Sequence, residues 1–115
     1  MGGVDVLAVH DLIPGRGVAA LVAGRQIAIF LLPSGEVYAI DNRDPFSGAN
    51  VMSRGIVGDR GGVPKVASPM YKQSFDLRTG RCLDDDTVGV TAYPVKVTDG
   101  VVVVDVDGGV GGLEP

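Results

Sequence analysis

The alternation of apolar and polar residues predicts a β-meander in residues 4–41. Short apolar or alternating runs, each the length of a strand, are separated by residues typical of tight turns. The predicted turns are Gly24-Arg25 and Pro33-Ser34-Gly35. The predicted strands are Val4–Val9, Val18–Val22, Gln26–Leu32 and Glu36–Ile40.

The same pattern of short apolar runs separated by turn residues returns near the end of the chain. Asp99-Gly100 lies between two apolar runs, which is a strong signal for a β-hairpin. Val101–Val104 is apolar on both faces, as expected of a buried strand. The predicted strands here are Val88–Ala92, Tyr93–Val97 and Val101–Val106.

Residues 42–81 lack sustained periodicity and are rich in Gly and Pro. Lys65–Ala67 and Ser74–Leu77 look extended, and Leu77–Gly80 is a predicted turn. A loop-dominated segment of this length inside a compact domain is usually functional or disordered. Its large apolar residues favour an ordered, loop-rich lobe; they are Phe46, Met52, Ile56, Met70, Tyr71 and Phe75.

Composition places these elements in one small all-β domain. The 115 residues are 45% hydrophobic and 21% charged, which is ordinary for a folded protein. The 18 Gly and 7 Pro favour turns and short strands over helices. We expect a single domain over residues 1–107, followed by a flexible C-terminal tail over residues 108–115, where glycine is frequent.

Charge is unevenly distributed. The net charge of −4 disfavours general binding of nucleic acid, but the segment from Arg43 to Arg81 holds seven basic residues against three acids. This basic excess is either a chance cluster on the surface or a face that meets an acidic partner. The candidate docking residues are Arg54, Arg60, Lys65 and Lys72.

Little else in the chain suggests chemistry. His10 is the single histidine and has no nucleophile in a recognisable motif beside it. Cys82 is the single cysteine, which rules out an intrachain disulfide, and it is best explained as a small buried residue. Asp84-Asp85-Asp86 is expected to face water. No catalytic residue and no metal site are therefore predicted. No apolar run reaches the roughly 20 residues that span a bilayer, and no secretory signal is evident, so a cytoplasmic protein without membrane contact is expected.

Two segments, 40–49 and 67–80, resemble the cluster-binding loops of Rieske ferredoxin-type domains. In that family the first loop reads Cys-Pro-His-x-Gly-Ala, and the second reads Cys-Pro-x-His-Gly-x-x-Phe-Asp-x-x-Thr-Gly. The scaffold residues of both motifs are present: Pro45, Gly48, Ala49, Pro69, Phe75, Asp76, Thr79 and Gly80. The resemblance implies a Rieske-like antiparallel β-sandwich, with a loop-rich lobe in place of the cluster-binding subdomain.

The four cluster ligands of that family are missing. Asp44 and Phe46 stand at the Cys and His positions of the first loop, and Ser68 and Tyr71 stand at those of the second. A Rieske cluster needs two thiolates and two imidazoles, whereas the chain has one Cys and one His. The sequence therefore predicts no cofactor in this chain. As a hypothesis, Phe46, Met70 and Tyr71 fill the space between the loops with apolar surface.

One branch of the family lacks these ligands: the small subunit of assimilatory NAD(P)H-dependent nitrite reductase. Residues 41–51, 53–62 and 64–69 resemble that branch. The resemblance implies a non-catalytic accessory subunit bound to a large catalytic subunit. That partner would carry FAD, sirohaem and an iron–sulfur cluster and would reduce nitrite to ammonium during nitrate and nitrite assimilation. The alternatives are a Rieske-type ferredoxin that transfers electrons and a free-standing protein-interaction module.

Overall fold

Residues 3–111, the part of the chain that the computed structural model describes, form eleven short strands. Two single turns of 3-10 helix, Val9–Asp11 and Met52–Arg54, lie between them. The strands are β1 (Gly3–Ala8), β2 (Val18–Val22), β3 (Arg25–Leu31), β4 (Val37–Asp41), β5 (Ile56–Arg60), β6 (Val63–Ala67), β7 (Ser74–Asp76), β8 (Thr91–Tyr93), β9 (Val95–Thr98), β10 (Val101–Asp105) and β11 (Val110–Gly111).

Two antiparallel sheets make the body of the domain. One has the order β11-β8-β4-β3-β2, and the other has the order β1-β10-β9. Alternate residues of β3 and β10 face a shared core because side chains along a strand point to opposite faces. Ile27, Ile29, Val102 and Val104 are fully buried there. The all-β, antiparallel architecture predicted from the sequence is confirmed.

A third sheet, β5-β6-β7, forms the lobe. Its inner face carries Val57, Val66 and Phe75, which are cross-strand neighbours and pack on a second core cluster with Phe30 and Met52. The outer face carries Ile56 and Lys65. The two cluster-like loops extend from this lobe, one before β5 and one between β6 and β7.

Several predicted boundaries need correction. The first hairpin turn is Ala23-Gly24 rather than Gly24-Arg25, because these two residues have φ of 50° and 80° while Arg25 pairs with Val22. Such two-residue turns require positive φ at both positions. The predicted strand Tyr93–Val97 is broken at Pro94, which has no backbone N–H to donate. The chain passes there from the larger sheet to the smaller one.

Two strands lie where none was predicted. β5 contains Gly58, Asp59 and Arg60, which have low strand propensity, and it forms through pairing with β6 along its whole length. β11 lies inside the segment expected to be a tail, and its two residues pair with Ala92 and Thr91. Residues 112–115 of that expected tail lie outside the described residues. In the described part of the chain, no helix is long and apolar enough to cross a membrane.

Candidate functional site

The loop of residues 44–49, hereafter the first loop, folds around the backbone and side chain of Asp44. The Asp44 N–H donates to the Ala49 carbonyl at 2.8 Å, and the Gly48 N–H donates to the Asp44 carbonyl at 2.7 Å. The Asp44 Oδ1 atom accepts from the Phe46 N–H at 2.8 Å. The first residue of the loop therefore closes it with three hydrogen bonds.

The second loop, residues 68–73, repeats this geometry. The Ser68 N–H donates to the Gln73 carbonyl at 2.9 Å, the Lys72 N–H donates to the Ser68 carbonyl at 3.0 Å, and the Ser68 Oγ accepts from the Met70 N–H at 3.2 Å. Asp and Ser both favour this local capping of a turn because their short side chains reach the N–H two residues ahead.

A third loop, residues 76–81, has the same pattern. The Asp76 N–H donates to the Arg81 carbonyl at 2.8 Å, and the Gly80 N–H donates to the Asp76 carbonyl at 2.7 Å. The Asp76 Oδ1 atom accepts from the Arg78 N–H at 2.8 Å. Two further contacts of 3.2 Å join the Arg78 guanidinium to the Asp76 carboxylate. Three loops of the lobe thus share one hydrogen-bonding pattern.

A direct hydrogen bond joins the first two loops. The Ser68 Oγ donates to the Asp44 Oδ2 at 2.6 Å, and both side chains are buried. Asp44 and Ser68 are the residues at the two cysteine positions of the family motifs. A buried polar pair stabilises a fold only when its members are satisfied, and here the carboxylate and the hydroxyl each have two partners. We call this contact the Asp44–Ser68 bridge.

The two histidine positions differ from each other. Phe46 is half-buried and packs on the lobe core, with its ring centroid 6.2 Å from that of Phe75. Tyr71 is 60% exposed, and Met70 beside it is 48% exposed. The hypothesis that all three side chains fill a space between the loops is therefore wrong for Met70 and Tyr71. The Asp44–Ser68 bridge instead holds the two loops in direct contact.

These residues do not fit an iron–sulfur cluster of the Rieske type. Such a cluster requires two thiolates and two imidazoles that converge on a pair of iron atoms. Asp44 and Ser68 have only oxygen atoms as ligands, and these are already joined by a hydrogen bond. The Phe46 ring has no lone pair to donate. The role of this arrangement is structural. It joins the two loops and fixes the positions of their backbones relative to each other.

The backbone at the fifth residue of each loop lies in the left-handed region. Gly48 and Gly80 have φ of 77° and 81°. Lys72 has φ of 65° at the equivalent place in the second loop. Glycine adopts this conformation at little cost, whereas an L-residue is strained there by about 1 kcal/mol. Lys72 therefore stands at a position that the loop geometry assigns to glycine.

The candidate docking residues are distributed over the lobe. The Arg60 Nη1 contacts the Asp84 Oδ1 at 3.2 Å. Among residues 3–111, Arg54, Lys65 and Lys72 form no ion pair. Arg54 and Lys72 are exposed, whereas Lys65 is partly covered on the outer face of β6.

Asp84 has a structural role that the sequence did not reveal. Its Oδ2 accepts from the Ser74 N–H at 2.7 Å, and this hydrogen bond, with the nearby Arg60 guanidinium, lowers the pKa of the Asp84 carboxyl. Asp84 is exposed to water, as expected, but it also binds the Ser74 N–H and the Arg60 guanidinium. The Asp44–Ser68 bridge was missed too, although its signal was present: a short donor and a short acceptor stand at equivalent positions of two similar loops.

Comparisons with known proteins identify the family and agree with this fold. The family model described as "Rieske-like [2Fe-2S] domain" matches residues 4–105. The small subunit of nitrite reductase (NADH) from Salmonella typhimurium is 44% identical over 99 residues, which are 85% of this chain and 92% of that one. A crystal structure from Mycobacterium tuberculosis, assigned as an NADH-dependent nitrite reductase small subunit, superposes with a TM-score of 0.86. It is 54% identical and covers 89% of this chain and 92% of its own.

A third relative is much longer. The large subunit of nitrite reductase [NAD(P)H] from Klebsiella oxytoca is 50% identical over 93 residues, which are 80% of this chain but only 10% of that protein. A segment similar to most of this chain is therefore part of a single large-subunit polypeptide in that organism.

Proposed function

The chain belongs to the nitrite reductase small-subunit branch of the Rieske-like domain family, and from this premise we propose that it is the accessory subunit of an NAD(P)H-dependent nitrite reductase in the cytoplasm. It binds a large catalytic subunit and contributes no reacting group of its own. The reaction of the complex is the reduction of nitrite to ammonium, in the assimilation of nitrate and nitrite.

The Klebsiella relative supports the choice of partner. A domain that is a separate chain in one protein and a segment of a larger chain in another usually makes the same contacts in both, because fusion only raises the local concentration of the two parts. The similar segment lies within a nitrite reductase large subunit. We therefore assign the large subunit as the partner of this chain, and FAD, sirohaem and an iron–sulfur cluster as cofactors of that partner.

The Asp44–Ser68 bridge is the observation that favours an accessory role over electron transfer. It occupies the two positions where a ferredoxin of this fold holds iron through cysteine. The two side chains at these positions are joined instead by a hydrogen bond of 2.6 Å between their oxygen atoms. Fold alone does not determine function, and the residues of the site decide between relatives that share a fold.

Co-purification with the large subunit from the same genome tests this proposal. We expect the two chains, produced together with one of them tagged, to elute as one complex on size exclusion, whereas the large subunit produced alone elutes at its own size. We also expect higher NADH- or NADPH-dependent nitrite consumption from the complex than from the large subunit alone. Separate elution with equal activities would contradict the proposal.

An iron and sulfide assay on the isolated chain tests the ferredoxin alternative. The expected result is far less than one iron per chain and no visible absorption band after production with iron and sulfide supplied. Stoichiometric iron and sulfide with a Rieske-type spectrum would establish an electron carrier instead.

A further inference from the structure

We infer that the tip of the second loop, formed by Pro69, Met70, Tyr71 and Lys72, is the surface that docks on the large subunit, an inference that rests on the proposed function. All four residues are exposed. The candidate docking residues chosen from charge alone include Lys72 but none of the apolar residues beside it.

The apolar exposure at this tip is concentrated. Seven large hydrophobic residues in the described part of the chain are exposed, and only Met70 and Tyr71 are adjacent in sequence. Ile56, which is 76% exposed, pairs with Ala67 directly before the second loop. Single exposed apolar residues are ordinary, whereas a contiguous group is typical of a contact surface. Tyr and Met are also enriched in protein interfaces.

The tip is held in place before any partner arrives. Three hydrogen bonds close the second loop around Ser68, and the Asp44–Ser68 bridge fastens it to the first loop. A surface that is already ordered loses little conformational entropy when it binds. The bridge therefore contributes to binding as well as to stability, because it holds the backbone of Met70 and Tyr71 in one fixed conformation.

Lys72 supplies independent support. Its φ of 65° is a conformation that glycine adopts freely, and the first and third loops have glycine there. Strained backbone is retained mostly at functional positions. A lysine at this position lowers the stability of the free domain. This loss of stability is explained if the lysine side chain contributes to binding.

Charge indicates the character of the facing surface. Lys72, Arg43 and Arg54 are exposed and form no ion pair among residues 3–111. Arg43 precedes the first loop, and Gly55 beside Arg54 lies close to the Ala67 carbonyl at the start of the second loop, so both cations belong to segments next to the two joined loops. An apolar centre with a cationic rim fits an apolar pocket bordered by carboxylates. We place that pocket on the large subunit, because the Klebsiella relative joins a similar domain to it.

A pair of double variants tests the docking surface. M70D/Y71D introduces two charges at the tip, and L21D/V97D makes the same change at Leu21 and Val97, which are 70% and 45% exposed on β2 and β9. Affinity for the complete large subunit is measured by calorimetry or biolayer interferometry, with a thermal melt of each variant. We expect M70D/Y71D to bind at least 100-fold more weakly and L21D/V97D to bind within threefold of the unmodified chain.

The variant Lys72→Gly gives a second measurement, which stays informative even if M70D/Y71D does not fold. We expect its melting temperature to rise and its affinity for the large subunit to fall at least fivefold, because glycine relieves the strain but removes the cation. A purely structural role of Lys72 would leave the affinity unchanged.

The outcomes separate the two proposals. If the unmodified chain binds and both M70D/Y71D and Lys72→Gly bind equally well, the docking surface is elsewhere and the proposed function stands. If L21D/V97D alone weakens binding, the surface lies on the body of the domain. If the unmodified chain does not bind the large subunit at all, the proposed function is wrong and this surface with it.

Discussion

The first and second loops share one backbone and use it in opposite ways. Each is closed by the same hydrogen bonds around its first residue. In the first loop the third residue, Phe46, packs inward against Phe75. In the second loop the third and fourth residues, Met70 and Tyr71, point to solvent.

The difference shows what becomes of a metal-binding scaffold that has no ligands for the metal. The Asp44–Ser68 bridge keeps the two loops together with one hydrogen bond, so the remaining positions are free to diverge. One loop contributes to the core, and the other contributes to the surface. Of the four residues at ligand positions, Asp44, Ser68 and Phe46 therefore have structural roles, whereas Tyr71 faces solvent.

The largest expected loss of unfolding free energy follows from removing the Asp44 side chain of the bridge. Asp44→Ala removes the partner of the Ser68 hydroxyl and of the Phe46 N–H, both of which Asp44 satisfies. Leaving buried polar groups without partners costs about 3 kcal/mol of unfolding free energy in such cases. Urea unfolding of Asp44→Ala, Ser68→Ala and the double variant gives the coupling energy, which we expect to be about 1–2 kcal/mol. A coupling near zero would show that the bridge does not join the loops.

Phe46→Ala is expected to have the next largest effect. Because the ring is half-buried in the lobe core beside Phe75, its loss should reduce the unfolding free energy by about 2 kcal/mol, less than for a fully buried ring. Phe75→Ala, at a fully buried position, is the matched control and should cost more. Equal stability of Phe46→Ala and the unmodified chain would place the first loop on the surface, like the second.

The sequence predicted the body of the fold well because its signals are local. The apolar runs of β2, β3 and β10 and the Asp99-Gly100 turn act within a few residues. β5 was missed because Gly58, Asp59 and Arg60 have low strand propensity, although the turn Gly61-Gly62 that joins it to β6 is a local hairpin signal. β11 was missed because Val110 pairs with Ala92, which is 18 positions earlier in the chain. Pairing with a neighbouring strand overrides propensity in such segments.

The loops were recognised from motif residues, but their packing was not. Nothing in the order of residues tells that Phe46 points inward while Tyr71 points outward, because both stand at histidine positions of the same motif family. The inward position of Phe46 comes with a contact to Phe75, and the loops are joined by the Asp44–Ser68 bridge between residues 24 positions apart, so both features are non-local. The contact between Asp84 and the Ser74 N–H is non-local in the same sense.

The fifth residue of each loop provides a smaller test with opposite signs. We expect Lys72→Gly to raise the unfolding free energy by roughly 0.5 kcal/mol, the relief of strain being partly offset by the greater freedom of glycine in the unfolded chain. Gly48→Ala should lower it by about 1 kcal/mol, because alanine would be strained at a φ of 77°. Urea titrations of both variants measure the two changes. Changes of the same sign would mean that the two loops differ in backbone as well as in side chains.

The smallest expected effect on stability falls on the residues with the greatest expected effect on binding. Met70→Ser and Tyr71→Ser remove side chains that are 48% and 60% exposed, so each should change the unfolding free energy by less than about 0.5 kcal/mol. Urea unfolding beside Phe46→Ala makes the comparison direct. A loss as large as that of Phe46→Ala would show that the second loop is packed like the first. Unchanged stability would show that neither side chain is packed in the free chain, which is what the proposed docking surface requires, since burial of this apolar surface would then be gained on binding.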